Sequence, residues 1–478
     1  MKIDLIYTGL VNLGFNSIGK GGMNTNWINL GLGYLGAILR NEGYQVVLHD
    51  LRALDGWDDL AQRISSRKPE FVGVQINTPN LDQALVCCKI AKQQNCLVIA
   101  GGPHATLDSA SLLDSGLIDY VVVGEGEIVL PRLIRAIERN NPPAERLQKG
   151  EIVQNLDDLP YPAWDLYPLD RILNRQGNFP FIENGLPVIA SRGCHANCSF
   201  CQPLVRRMFG SKVRYRSPEN VIGEIKTLIN RFKLRYFSFQ DDTFTANKAW
   251  VLELCKKLRG ENLHIQWSAQ SRVDTFDEEI AMAMKRAGCV CVFFGIESGS
   301  QRILNLYRKG ITPEKSLKAA KVCKKAGLII FADFIFGGPT ETPEEMKQTV
   351  QLIREIGPEL PSPTFFTPIP GCDLHEFCKK EHLILGGQAS NFDRSPQGRK
   401  IKGIDYGFVR KCLLETLSGT PIWFQRRHFA HLVLKRWVNL LRHGDFLPLL
   451  KEVVDKSLPE MGMAQQTLRK IYRRMVGR

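Results

Sequence analysis

The first 142 residues alternate short apolar runs with segments whose apolar positions recur at helical spacing. Ile3–Tyr7, Gln45–Leu48, Phe71–Gln75, Leu97–Ala100 and Tyr120–Val123 read as strands. Gly31–Asn41, Leu81–Gln94 and a stretch from Val129 read as helices. Strands alternating with helices predict a doubly wound, Rossmann-like parallel sheet over residues 1–142. The rhythm breaks over 143–185. Pro142-Pro143 opens this stretch, and Leu159-Pro160-Tyr161-Pro162-Ala163-Trp164-Asp165 lies midway. Proline favours extended backbone over helix, which predicts a linker. From 186 to 385 the alternation resumes. Val188–Ala190, Tyr236–Phe239, Ile265–Ala269, Val290–Phe294, Ile329–Phe336 and Thr364–Thr367 read as strands, with helices at Pro218–Arg231, Lys248–Leu258, Glu278–Ala287 and Pro313–Ala326 between them. These units predict a partial, open (β/α)6 barrel. Residues 386–478 read as mainly helical. Trp423–Leu441 interleaves apolar residues with Arg426, Arg427, Lys435 and Arg436 in an amphipathic pattern.

Composition narrows the class. A chain of 478 residues suggests about two to four domains. Hydrophobic content of 44% and charged content of 23% are ordinary for a globular protein. No apolar run approaches the ~18 residues of a membrane span. Asp4, inside the first apolar stretch, predicts no signal peptide. The 13 cysteines are odd in number, and Cys255, Cys289, Cys291 and Cys323 fall in apolar segments. That pattern predicts reduced thiols and a cytoplasmic location. The net charge of +14 allows an acidic or phosphate-bearing partner without demanding one. Residues 386–478 carry more than twice as many Lys and Arg as Asp and Glu. They form either a helical cap or a surface for a phosphorylated, peptide or membrane-associated substrate.

Chemistry concentrates in Ser191-Arg192-Gly193-Cys194-His195-Ala196-Asn197-Cys198-Ser199-Phe200-Cys201. Three thiols at Cys-x3-Cys-x2-Cys spacing let one loop surround a single metal centre. Thiolates suit zinc or iron–sulfur clusters. A closed zinc site needs four ligands, and no second cysteine pair at zinc-like spacing follows. Three thiols therefore suggest a four-iron cluster with one iron left open, the alternative being a zinc loop. In the first domain, Gly and polar residues gather where strands end: Asn77-Thr78, Gly101-Gly102-Pro103-His104 and Gly124-Glu125-Gly126-Glu127. Ligands of doubly wound sheets bind outside those ends, and glycine there allows close approach. No GxGxxG follows the first strand, so a nicotinamide dinucleotide is not expected.

The cysteine loop, with Phe200 in its aromatic slot, resembles the signature of the radical S-adenosylmethionine (SAM) enzymes. The first domain resembles the cobalamin-binding domain fused to one branch of them, through Leu30-Gly31-Leu32-Gly33-Tyr34-Leu35, Gly43-Tyr44, Asp50-Leu51-Arg52, Ala100-Gly101-Gly102-Pro103-His104 and Val123-Gly124-Glu125-Gly126-Glu127. The resemblance implies three cofactors: a 4Fe-4S cluster on Cys194, Cys198 and Cys201, SAM on its open iron, and cobalamin. Asn77, Thr78, Gly101, Gly102, His104, Gly124, Glu125 and Gly126 would hold the cobalamin. No Asp-x-His-x-x-Gly occurs, which implies cobalamin without a protein histidine below the metal. For SAM it implies Asp241 and Asp242 on the amine, Ser268 and Arg272 near the carboxylate, Glu297 and Ser298 at the ribose, and Gly337 on the adenine side. Cys372 stands where the family commonly has threonine.

The implied reaction is methylation, through methylcobalamin, of an unactivated carbon or of phosphorus. The alternatives are a non-methylating radical reaction, such as tetrapyrrole ring cyclisation, and a chain that kept the fold without using cobalamin. The implied partners are a small-molecule or peptide substrate and an electron donor such as flavodoxin or ferredoxin. From another class, a zinc-stabilised nucleic-acid-binding protein would fit the charge. Its basic residues are spread out, and Asp241, Asp242 and Glu297 crowd the candidate site, so no nucleic acid is expected.

Overall fold

A computed structural model of the chain describes residues 1–9, 15–18, 28–173, 185–385 and 400–418. Trp423–Leu441 and most of the basic C-terminal region lie outside the described residues, as does the end of the linker. Residues 1–149 build one parallel sheet from β1 (Lys2–Tyr7), β2 (Gln45–Asp50), β3 (Phe71–Gln75), β4 (Leu97–Gly101), β5 (Tyr120–Val123) and β6 (Leu147–Lys149), in the order β2-β1-β3-β4-β5-β6. Near-continuous apolar strands such as Phe71–Gln75 suit a sheet buried on both faces. Register aligns Tyr7 with Asp50 and with Gln75, and Gln75 with Gly101, so the polar strand ends form one rim. The order reverses at β1, where ligands of such sheets bind.

Several elements differ from expectation, helices Ser109–Asp114 and Pro343–Ile356 among them. Helix Trp57–Arg67 carries only Leu60 and Ile64 as buried anchors, too sparse an apolar stripe to stand out. Strand β6 lies in the stretch expected to be a linker; it pairs with β5 from Val121↔Leu147 to Val123↔Lys149. Three half-exposed residues, Leu-Gln-Lys, give it no strand signature.

The linker then runs back over helix Leu30–Asn41. Ala163 N–H donates to the Gly33 carbonyl at 3.0 Å. A Cβ at Gly33 would sit 2.8 Å from the Tyr167 hydroxyl, and one at Gly36 would sit 2.5 Å from Leu166. The two glycines therefore let the linker seat directly on the helix. Trp164 and Tyr167 join the apolar core of the following domain.

The second parallel sheet comprises β7 (Gly185–Val188), β10 (Tyr236–Phe239), β11 (Gln266–Ser271), β12 (Cys289–Glu297), β13 (Ile329–Phe336) and β14 (Leu360–Phe365) in sequential order. Its end strands β7 and β14 do not pair with each other, which leaves the barrel open. A small antiparallel hairpin, β8 (Ser191–Arg192) with β9 (Arg214–Tyr215), brackets the cysteine loop. Phe237, Phe239 and Trp267 pack outward, beneath the helices, with ring centroids 5.0 to 6.2 Å apart. Tyr236, Ser238, Ser268 and Gln270 alternate to the other face and bond to one another there or to Gln240. Helix Tyr406–Ser418 closes the described chain.

Candidate active site

A cavity of about 400 Å³ separates the rim of the first sheet from the hairpin of the second domain. Its first wall is glycine-rich: Gly101, Gly102, Gly124 and Gly126. Gly102 adopts φ +100° and Gly124 φ +79°, conformations that favour glycine. Gln75 and Asn77 add polar groups. The Gln75 amide donates to Asn77 Oδ1 at 2.9 Å, while its own Oε1 is buried without a partner. The opposite wall carries Ile189, Arg192, Gln240 and Asp242.

Glu125 and Glu127, at the β5 turn, reach across to this second wall. Arg192 lies 2.7 Å from Glu127 and 3.3 Å from Glu125, and Arg214 lies 2.5 Å from Glu125. All four side chains are at most 10% exposed. Arg192 also lies over the Tyr34 ring at 5.1 Å. Glu125, expected on the cobalamin, is thus first of all a tie between the two domains. Thr78 and His104 also differ from expectation. They bond to each other at 3.1 Å and do not line the cavity. His104 Nε2 is buried without a partner, and burial lowers the pKa of the ring. Asn77 lines the cavity and also donates to the Gly9 carbonyl.

The three thiols share one loop beside the cavity. Cys194 Sγ lies 3.5 Å from Thr243 Oγ1, and Cys198 Sγ accepts from Arg272 Nη1 at 3.8 Å. Cys201 has the most open side chain of the three, yet its sulfur is crowded. Desolvation, then the Asp242 charge and the other two sulfurs, push its thiol up to about 12. A thiol held protonated in this way calls for a bound cation to become a thiolate ligand. The donor set therefore fits a metal–sulfur centre. Among the described residues, no three His, Cys, Asp or Glu side chains are already closed at metal-binding geometry. None of the 13 cysteines is in a disulfide.

The expected SAM residues separate into groups. Asp242 is exposed on the cavity wall beside Cys201. Asp241 is buried and turned away. Its carboxylate accepts from Ala190 N–H at 3.2 Å and from the Ser191 hydroxyl at 2.5 Å, bracing the entry to the cysteine loop. Burial raises its pKa to about 7 against those hydrogen bonds. Ser268 is buried in the Tyr236–Ser238 ladder. Arg272 forks onto Asp274 with two contacts of 2.9 Å and donates to the Lys309 carbonyl at 2.6 Å. Glu297, at φ +71°, pairs with Lys309 Nζ at 2.8 Å. Ser298 bonds Thr349 at 3.2 Å inside the core. Gly337, at φ +74°, packs toward Ile404 and Val409 and donates to Glu341 at 2.7 Å. Cys372 is buried and donates to the Ile369 carbonyl.

Lys309, Gln75 and Arg192 escaped sequence reasoning. Lys309 is 7% exposed and lies over the Phe200 ring at 5.6 Å. Lys309 lies between the expected strand Val290–Phe294 and the expected helix Pro313–Ala326, in a stretch with no motif of its own. Arg192 sits inside the cysteine motif itself, two residues before Cys194, the one positional hint that it serves the site.

A three-thiol loop on an open parallel barrel, beside a glycine-lined cavity on a doubly wound sheet, defines a metal–sulfur enzyme with a second, glycine-lined ligand site. The chain belongs to the radical SAM superfamily, which residues 188–353 match, and residues 21–134 match the B12 binding domain. It is a radical SAM enzyme, and the cofactors of that pairing are a 4Fe-4S cluster, SAM and cobalamin. The chain is 36% identical over 387 residues to the uncharacterized methyltransferase PH0819 of Pyrococcus horikoshii, covering 74% of this chain and 79% of the relative. It is 29% identical over 386 residues to the anaerobic magnesium-protoporphyrin IX monomethyl ester cyclase of Rubrivivax gelatinosus, covering 77% and 69%. The fold resembles that of the cobalamin-dependent S-adenosylmethionine radical enzyme OxsB, solved with aqua-cobalamin and S-adenosylmethionine bound. The TM-score is 0.69 at 16% identity, over 100% of this chain and 75% of that one.

Proposed function

We propose that the chain methylates an unactivated carbon, or phosphorus, of a small-molecule or peptide substrate. The observation that carries this reading is the cavity, bounded by glycine-rich strand ends on one side and on the other by Gln240, Arg192 and Asp242, whose charge acts on Cys201 of the adjoining thiol loop. When bound, the cluster supplies the electron that cleaves SAM, and cobalamin supplies the methyl group. In this reading Cys194, Cys198 and Cys201 would hold the cluster, and SAM would bind beside it. Asp242 meets the SAM ammonium by a charge-assisted hydrogen bond. Asp241 acts behind it, fixing the loop entry. Gln240, Gln270 and Ser268 orient the bound SAM. Glu297 meets its ribose, and Gly337, with Ser298 behind it, shapes the adenine side. Gly101, Gly102, Gly124 and Gly126 let the corrin approach the backbone, and Gln75 and Asn77 take its amide groups.

The division of labour follows the sequence. Residues 1–142 with β6 bind cobalamin, 143–185 connect, 186–385 form the radical barrel, and 386–478 meet the substrate or a membrane surface. Flavodoxin or ferredoxin supplies the electron, in the cytoplasm, and nucleic acid has no part. Among the described residues no helix is long and apolar enough to cross a membrane.

The test is anaerobic turnover with methyl-labelled SAM and candidate substrates. The expected result is a labelled product heavier by one methylene, with 5′-deoxyadenosine and S-adenosylhomocysteine formed together. Labelled product without 5′-deoxyadenosine would overturn the radical step. Ring cyclisation of a tetrapyrrole is the second reading, favoured by the relative named a cyclase. It predicts 5′-deoxyadenosine and no gain of a methylene.

A further inference from the structure

We propose that Arg272 and Lys309 set the reduction potential of the cluster, acting through the sulfur of Cys198 as positioning residues. This rests on the reading that Cys194, Cys198 and Cys201 hold an iron–sulfur cluster. Arg272 is 7% exposed, and its fork is divided. Nε and Nη2 serve Asp274, Nη2 also serves the Lys309 carbonyl, and Nη1 points at Cys198 Sγ, 3.8 Å away. The acid therefore lies on the far edge of the guanidinium and the positive edge faces sulfur. The Asp274 side chain is 22% exposed against 8% for Arg272, so water screens the acid more than the cation. Lys309 adds a second buried cation, whose charge also acts on Cys198 without a direct bond to it. Its ammonium lies over Phe200, between Cys198 and Cys201 in the chain, with Glu297 as its ion-pair partner.

Reduction adds one negative charge to a cluster. Hydrogen bonds to its sulfurs and nearby positive charge favour the reduced form, more so where water is excluded. The two cations thus ease the electron transfer that precedes SAM cleavage. The Arg272 guanidinium, donating to the Lys309 carbonyl, also fixes the Lys309 backbone, so the pair acts as one unit. This role differs from the carboxylate-binding role that the sequence resemblance implied for Arg272.

The test is EPR-monitored redox titration of the full chain, reconstituted anaerobically with iron and sulfide, with metal content measured on every variant. Arg272→Gln is expected to shift the midpoint to more negative potential, and Arg272→Lys to restore most of the shift. Lys309→Gln is expected to shift it the same way, and Glu297→Gln the opposite way. Asp274→Asn is also expected to move it in that opposite direction, a sign that mere loosening of the loop would not give. Iron-loaded variants that all titrate at the wild-type midpoint overturn the proposal. So does an Asp274→Asn midpoint at or below wild type, even where Arg272→Gln fails to bind iron. A wild-type chain that takes up no iron and sulfide defeats the underlying site reading instead.

Discussion

Single residues at this site do work that their types alone do not announce. Glu341 is the clearest case. Its Oε2 accepts the N–H groups of Gly337 and Gly338 at 2.7 and 3.1 Å, while its buried Oε1 has no partner. Burial raises its pKa from 4.5 to about 7 despite those bonds. The unfolded chain loses this proton near 4.5 and the folded chain near 7. Its stabilising contribution is therefore whole below about 4.5 and is lost as pH rises through 7. Glu341→Gln should remove that slope, so the variant should gain on wild type by up to about 3 kcal/mol between acid and mildly alkaline pH. Thermal melts across pH check this, and a constant difference contradicts it. Asp242→Asn is expected to weaken SAM binding by about 1–3 kcal/mol, the worth of one charged hydrogen bond, without changing iron content. Equilibrium binding of SAM to the reconstituted chain decides it. The cysteines were legible because spacing alone brings them onto one loop. Asp241 and Ser298 were not, because each spends polar atoms on a partner 50 or 51 residues away, and Arg272 adds to its neighbour Asp274 a partner 37 residues away. No local pattern reveals such a partner.

Elements show the same division. Strands such as Phe71–Gln75, Tyr236–Phe239 and Ile329–Phe336 match their sequence patterns end to end, because buried parallel strands are continuous apolar runs. Strand β6 and helix Trp57–Arg67 were hidden because few of their side chains are buried. The seat of the linker on helix Leu30–Asn41 was hidden too, since it depends on an absence of side chain at Gly33 and Gly36. Gly33→Ala should gain about 1 kcal/mol of helix propensity yet destabilise the chain, because the new Cβ meets the rigid Pro162 Cβ at 2.9 Å and the Tyr167 hydroxyl at 2.8 Å. Chemical denaturation reads the sign, and stabilisation contradicts the packing. The tie across the cavity makes a second prediction. Arg192→Met leaves Glu127 buried without a cation and should cost about 3–5 kcal/mol. Adding Glu127→Gln should recover much of that loss, measured as a double-mutant cycle.

At the scale of the whole molecule, two sheets present their strand ends to one cavity. The first offers backbone room and the second offers amide and carboxylate groups. Arg192 and Arg214, anchored on Glu125 and Glu127, hold those two walls together beside the loop that carries the thiols. Everything proposed for this arrangement depends on what the three sulfurs bind. The direct measurement is metal and sulfide content of the anaerobically purified chain, beside a variant with Cys194, Cys198 and Cys201 all changed to Ala. The account predicts about four irons and four sulfides per wild-type chain and neither in the variant. Zinc without sulfide in the wild type, or iron retained in the variant, would contradict it.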